Sequence, residues 1–314
     1  MRVLVTGGFG FIGTAVVRRL TLEGHEVVAL AHRPRRAPVP VSWASEVVHA
    51  DVRDARAIQA AVSDVDAVCH LAALSRVRES FARPAEYQQV NAVGTERLVD
   101  ALASKAEESG RPTPLVHAST HAVYGAPEHQ PIEENTPLAP TSPYGKSKAD
   151  AEAAVAAASY AGVISAVCLR LFNVAGAVAG RTDTDQSRII PRMLSVAAGR
   201  AATLNINGDG SAIRDFVHVE DVAAAFLLAL PACQQGACAV YNVGATAASV
   251  RDVIAVAEQI TGRAIPVTHN PPKADPRVII ADTTRISTEL SWMPERSSLD
   301  KIIGDAWEVV PRQP

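Results

Sequence analysis

The chain has 314 residues, 48% of them hydrophobic, and its 30 basic and 33 acidic residues give a net charge of -3. That is ample material for one large or two smaller cored domains, and without long single-sign blocks it offers no electrostatic footprint for nucleic acid or an anionic membrane. The opening residues read as a strand and no apolar run reaches the ~20 residues needed to span a bilayer. A cytoplasmic protein is expected, with Cys69, Cys168, Cys233 and Cys238 reduced. Cys233 and Cys238 could pair across a loop, but no Cys-x-x-Cys spacing is present and no metal site is expected.

In chain order, apolar runs of strand length at 3–5, 27–30, 47–49, 67–71, 115–118 and 163–169 alternate with helix-like stretches at 11–23, 55–62, 84–108 and 143–160. Pro84 and Pro143 stand where the last two helices begin. This βαβ rhythm predicts an α/β fold, a doubly wound parallel sheet covered on both faces. After Asn173 the rhythm breaks into a Gly/Ala/Thr/Asp-rich stretch over 174–188 and a helix over 189–199. A helix over 219–230 and a strand over 239–243 return to the sheet. The expected organisation is a dinucleotide-binding domain of residues 1–173 with 216–244, and a smaller, discontinuous C-terminal substrate-binding region of 174–215 and 245–314. The cleft between two such regions is where a ligand is expected.

Gly8-Phe9-Gly10-Phe11-Ile12-Gly13 follows the first strand and opens the first helix. In that context the glycines allow a tight turn and close approach of a pyrophosphate to the helix N-terminus, which makes the sheet Rossmann-type. The plainer alternative is a Gly-rich turn that packs helix on strand. About 20 positions on, NAD-binding chains usually carry an acid for the adenosine ribose; this chain has Ala31, followed by His32, Arg33, Arg35 and Arg36. An arginine there can accommodate a 2′-phosphate, so NADP stays open beside NAD, as does a merely solvated basic loop. Asp51 could meet the adenine amino group or begin the next helix.

Thr120 ends the fifth strand, and strand C-termini line the crevice of such a sheet. Its hydroxyl could act there or simply close a turn; the adjacent His121 is left outside the chemistry. Tyr144 and Lys148 lie four residues apart near a helix start, on one face. A neighbouring ammonium favours a phenolate, so the pair can form a general base.

The ordered set Thr-Gly-Gly-Phe-Gly-Phe-Ile-Gly (6–13), His-Leu-Ala-Ala (70–73), Val-Tyr-Gly (123–125), Ser-Pro-Tyr-Gly-Lys-Ser-Lys, Leu-Phe-Asn-Val-Ala-Gly (171–176) and Arg-Asp-Phe-Val-His-Val-Glu-Asp (214–221) resembles the extended short-chain dehydrogenase/reductases. Within them the chain is most similar to the UDP-galactose (UDP-glucose) 4-epimerases of the NAD-dependent epimerase/dehydratase family. The resemblance implies an NAD-dependent epimerase that inverts C4 of a UDP-sugar through a 4-keto intermediate; a UDP-uronic acid 4-epimerase and an NADP-dependent nucleotide-sugar ketoreductase are the alternatives. It implies Thr120, Tyr144 and Lys148 as the catalytic set. Gly7, Gly10, Phe11, Ile12, Asp51, Val52, Leu71, Ala72, Ala73, Asn91 and Phe172 are the implied cofactor residues, with Tyr144 and Lys148 reaching the cofactor as well; His32 and Arg33 join them as candidates from the basic stretch after Ala31. Ser75, Thr120, Asn173, Ile189, Arg214 and Lys273 are implied on the substrate side. Arg181, Arg188 and Arg192 add cations that could meet a C6 carboxylate or solvate a loop. Three departures stand out: Ala31 for the ribose acid, Ser75 for a lysine common in the epimerases, and Pro272-Lys273 where a second diphosphate-binding arginine falls. A homodimer through the two long helices is implied by the same resemblance.

Overall fold

The computed structural model describes residues 1–32, 43–272 and 276–311. The first part of the chain runs β1 (Arg2–Thr6), α1 (Phe11–Leu22), β2 (Glu26–Ala31), β3 (Glu46–His49), α2 (Ala55–Val62), β4 (Ala67–His70), α3 (Val77–Ala82) and α4 (Pro84–Tyr87). A π-helical turn (Gln88–Val93) then leads into α5 (Gly94–Ser109), β5 (Thr113–Thr120), α6 (Pro143–Tyr160) and β6 (Ile164–Leu171). These strands and β12 (Cys238–Val243) form one seven-stranded sheet of order β12-β6-β5-β4-β1-β2-β3, in which every neighbouring pair is parallel. The fold is thus α/β with a Rossmann-type sheet. Winding reverses between β1 and β4, and a crevice opens beyond their C-terminal ends.

Strand alternation explains why both faces are covered. Val3, Val5, Val27, Ala29, Val167 and Leu169 enter one apolar cluster, beneath α1 and α8 (Val219–Ala229). Leu4, Val28, Leu30, Ala166 and Cys168 enter the other, beneath α2, α5 and α6. Successive side chains of a strand point to opposite faces, so a strand buried on both sides reads as an unbroken apolar run.

The single helix expected over 84–108 is three pieces. At the π-helical turn Asn91 is pulled out of register with its neighbours: its amide nitrogen donates to Leu74 O and Ser147 Oγ, both at 3.0 Å, and its oxygen accepts from Leu74 N at 2.8 Å. One wider turn is the backbone's way of aiming that side chain.

After Asn173 the chain builds a second layer. It contains β7 (Asn173–Ala175), the hairpin β8 (Ala177–Val178) and β9 (Arg181–Thr182), α7 (Ile189–Ala197), β10 (Leu204–Asn207) and β11 (Ile213–His218). Following β12 come β13 (Thr246–Ser249), α9 (Val250–Thr261), β14 (Val267–Asn270), β15 (Val278–Ile279), α10 (Thr284–Leu290) and α11 (Leu299–Glu308). β11 is its spine, paired with β7, β13 and β15. Met193, Leu194, Leu204, Val253, Ile302 and Ile303 fill a separate core between these elements.

All four cysteines are free. The nearest approach is Cys168 Sγ to Cys238 Sγ at 3.8 Å, across neighbouring strands, whereas Cys233 faces the carbonyls of Ala229 and Leu115. Among the described residues no helix is long and apolar enough to cross a membrane.

Candidate active site

Thr120, Tyr144 and Lys148 line one cleft of about 2100 Å³ at the C-terminal edge of the sheet. α6 reaches it because Ser142 caps the helix, its hydroxyl accepting from Gly145 N at 3.1 Å, and Pro143 starts the first turn. Gly145 completes the fit: a Cβ there would stand 2.5 Å from Ala122 O, so only glycine lets the helix press against the turn after β5. The Thr120 hydroxyl bonds the Tyr144 phenol and accepts from Ala122 N at 3.2 Å.

Burial raises the Tyr144 pKa, while the Thr120 bond and the charge of Arg188 pull it down. The spacing predicts Lys148 as the cation beside the phenol; the structure gives it another partner. Its Nζ lies 3.1 Å from His117 Nε2, inside β5. Burial lowers the Lys148 pKa to about 8, against an opposing pull from Glu152. An ammonium has donors only, so His117 accepts through Nε2 and carries its proton on Nδ1, an atom with no hydrogen-bond partner among the described residues. Burial, with the nearby Lys148 charge, holds the His117 pKa well below its ordinary value.

The cofactor side of the cleft is a backbone cradle. Gly7 has φ +68°, and a Cβ at Gly13 would lie 2.1 Å from Gly7 O. Only a chain of glycines closes this turn. α1 starts from Gly10 without a side-chain cap and without an acid in its first turn. Its leading amides are therefore left without a side-chain acceptor, and an anion such as a pyrophosphate fits them. Gly7, Gly10, Phe11, Ile12, Leu71 and Ala73 line this part of the cleft. Ala72 serves from behind, its amide and that of Leu71 donating to Thr6 Oγ1 at 3.1 Å.

The remaining cofactor candidates are held by the protein itself. Asp51 is bracketed by Arg53, with Nη2 at 2.5 Å, and by His32 Nδ1 at 3.3 Å; the Arg53 bond lowers its pKa to about 2. Val52 is a core residue on which Gly94 sits, a Cβ there being 2.8 Å from Val52 Cγ2. Asn91 is buried and ties the segment after β4 to α6. Arg33 and Lys273, like Arg35 and Arg36, lie outside the described residues.

On the substrate side, Ser75, Phe172, Asn173, Ile189 and Arg214 all line the same cleft. Asn173 donates to Asp215 O at 2.8 Å. Sequence alone offers Asp215 or Glu220 as ion partners of Arg214. Asp215 is buried and accepts from Ala245 N at 2.6 Å and Ala281 N at 2.9 Å, and Glu220 pairs with Arg18 and Arg296. His121 stacks on Phe172 with centroids 5.1 Å apart, and burial lowers its pKa to about 4, so it is neutral at pH 7. The three loop cations part company. Arg188, at the start of α7, is gripped by Asp183 at 3.0 Å and acts on Tyr144; Arg192 lies near Arg78; Arg181 turns to the Gly-rich loop. His117 and Arg188 contribute to the Tyr144–Lys148 neighbourhood without being revealed by spacing along the chain, as does Tyr87, edge-on to Tyr144 with centroids 6.3 Å apart.

The model of the NAD dependent epimerase/dehydratase family matches residues 3–244. The UDP-glucose 4-epimerase of Corynebacterium glutamicum is 34% identical over 98% of this chain and 95% of that protein. That of Azospirillum brasilense is 36% identical over 98% of this chain and 92% of its own length. Among solved structures, the UDP-glucose 4-epimerase of Brucella ovis in complex with NAD superposes with a TM-score of 0.90 at 31% identity, covering 98% of this chain and 97% of that one.

Proposed function

The chain belongs to the NAD dependent epimerase/dehydratase family, and on that premise we propose that it is an NAD-dependent epimerase inverting C4 of a UDP-linked hexose through a transient 4-keto sugar, acting in the cytoplasm as a homodimer. The observation that carries the reading is the convergence of Thr120, Tyr144 and Lys148 at one end of a cleft whose other walls are a pyrophosphate cradle and the Asn173/Arg214 pair. At about 2100 Å³ the cleft exceeds the ~300–1,000 Å³ of an ordinary ligand pocket and has room for two nucleotides.

Bound NAD supplies a reversible hydride acceptor for the sugar C4. Tyr144, as its phenolate, takes the proton of the 4-hydroxyl and, as the phenol, later returns it, and Thr120, bonded to the phenol oxygen, orients that hydroxyl. Lys148 keeps a positive charge near the reacting oxygen, steadied by His117. Residues 174–215 and 245–314 hold the nucleotide sugar, with Asn173 and Arg214 on the diphosphate; a planar guanidinium suits phosphate oxygens. Because Arg188 is already matched by Asp183 and Asp185, a neutral hexose suits the pocket better than a uronic acid. Binding strength belongs on the diphosphate, since a pocket that gripped the sugar would prevent its turning between hydride departure and return.

Incubation with UDP-galactose, UDP-N-acetylgalactosamine and UDP-glucuronic acid, followed by separation of the products, tests the reading. UDP-glucose is expected from UDP-galactose with no net change in cofactor; stoichiometric oxidation of NADPH when a 4-keto nucleotide sugar is supplied, with no epimer formed from UDP-galactose, would instead make the protein a reductase. Tyr144→Phe is expected to lower kcat by roughly 10²–10⁴-fold while nucleotide-sugar binding persists.

A further inference from the structure

Two arginines from different layers meet at the side of the cleft. Arg78 comes from α3 and Arg192 from α7, and both line a side pocket of about 410 Å³ that shares these residues with the main cleft. Charge nearby is otherwise matched. Glu79 pairs with Arg83 and Arg76, Glu86 with Arg83, Asp183 with Arg188, and Asp185 with Arg188 and Arg76. Asp209, on the turn after β10, pairs with Arg251. Among the described residues none of these acids pairs with Arg78 or Arg192, and the Nε of Arg192 is shut off from solvent without an acceptor. Burial and the charge of Arg78 both lower the Arg192 pKa. Holding two like charges together, one of them half-buried, costs folding free energy that an anion between them would offset.

The facing wall is polar for a reason of register. β10 and β14 pair in parallel, with Asn205 beside Thr268 and Asn207 beside Asn270. Leu204 and Ile206 enter the second core, so strand alternation sends Asn205 and Asn207 to the opposite face, together with Asn270. All three asparagines line the pocket, with Pro271 and Pro272 completing the wall. Their side-chain amides are neutral donors that suit whatever lone pairs two guanidinium groups leave unfilled.

We propose that Arg78 and Arg192, with Asn205, Asn207 and Asn270, form a phosphate-binding site at the side of the cleft. A carboxylate offers two oxygens, which one bidentate fork occupies; a phosphate offers enough for two forks and the amides besides. The group can belong to a nucleotide whose remainder lies in the main cleft, or be a free phosphate ion. Only the first source rests on the functional reading above, because the site itself is argued from charge and packing.

The test titrates the full-length wild type, Arg192→Met, Arg192→Lys and Arg78→Met with inorganic phosphate and with UDP in a calorimeter, and melts each in phosphate and in chloride of equal ionic strength. Wild type is expected to bind phosphate, and both methionine variants to bind it roughly 10- to 100-fold more weakly. Arg192→Lys should fall between, since a point charge keeps the attraction and loses the fork. In chloride the methionine variants are expected to melt no lower than wild type, and phosphate should raise the wild-type melting temperature more than theirs. A nucleotide source shows as competition between phosphate and UDP, with UDP weakened by the same substitutions; a free-ion source shows as UDP binding that neither substitution alters. Phosphate and UDP affinities unchanged in both methionine variants overturn the proposal. So do methionine variants that melt well below wild type in chloride, because the arginines then serve the fold. Failure to convert UDP-galactose would overturn the functional reading and leave the phosphate titration standing.

Discussion

Burial sets the protonation of the cluster around Tyr144 before any ligand arrives, and on both sides of neutrality it disfavours the cationic form. Lys148 has its pKa lowered from 10.5 to about 8, so between those values the unfolded chain binds a proton that the folded one does not. The contribution of Lys148 to the stability of the cofactor-free protein therefore rises across that window as pH increases, and Lys148→Met should remove that contribution, lowering the slope measured in urea titrations. His70 and His121 have theirs lowered from 6.5 to about 3 and about 4. Below pH 6.5 the unfolded state again takes the extra protons, so stability should fall from there to about pH 4, and His121→Asn should soften the fall. His117→Phe removes the acceptor that favours the Lys148 ammonium; the alkaline limb of the kcat/KM profile should move to lower pH. Thr120, Tyr144 and Lys148 are legible in the sequence because a strand end and a helical spacing of four suffice to place them together. His117 is not: it lies 31 residues from its partner and looks like any interior strand residue.

The elements divide along the same line. β1, β2, β4, β5 and β6 announce themselves as apolar runs that enter both clusters, and α2 by its apolar stripe, whereas Ala-rich α6 shows no stripe and is marked by Ser142 and Pro143 at its start. The break between α4 and α5 is silent, because one wider turn adds no signal to an apolar pattern, and only the contacts of Asn91 show its use. Asn91→Leu leaves Leu74 N and O and Ser147 without that partner; a loss on the order of 2 kcal/mol is expected in denaturant unfolding, together with weaker cofactor binding. Pairings such as β10 with β14 are likewise invisible from local sequence: the partners, Leu204 and Val267 at the first rung, are joined only through the second layer's fold.

Across the whole molecule, one buried polar network joins the end of the sheet to its covering helix. Arg170 on β6 forks onto Glu152 of α6, with Nη2 at 2.8 Å, and its Nη1 reaches Tyr124 OH at 2.8 Å and Glu134 O at 2.9 Å. Glu152 accepts from Ser119, beside Thr120; Tyr124 donates to Asn242 on β12 at 2.7 Å. Arg170 and Glu152 are 5% and 6% exposed, so neither charge can be solvated if its partner is removed. Glu152→Leu should cost roughly 3–5 kcal/mol by urea unfolding, whereas the double variant Glu152→Leu/Arg170→Met should recover part of it.

β11 shows how much electrostatics depends on strand pairing. Arg214 and Phe216 face the cleft, while Asp215 between them turns inward to the amides of Ala245 and Ala281. The pairing of Phe216 with Asn173 holds that alternation in place. A slip of one residue would exchange the two faces, presenting a carboxylate to the cleft and burying a guanidinium against peptide N–H donors. The sign of the charge offered to the cleft is therefore a property of hydrogen-bond register as much as of which residues the chain contains.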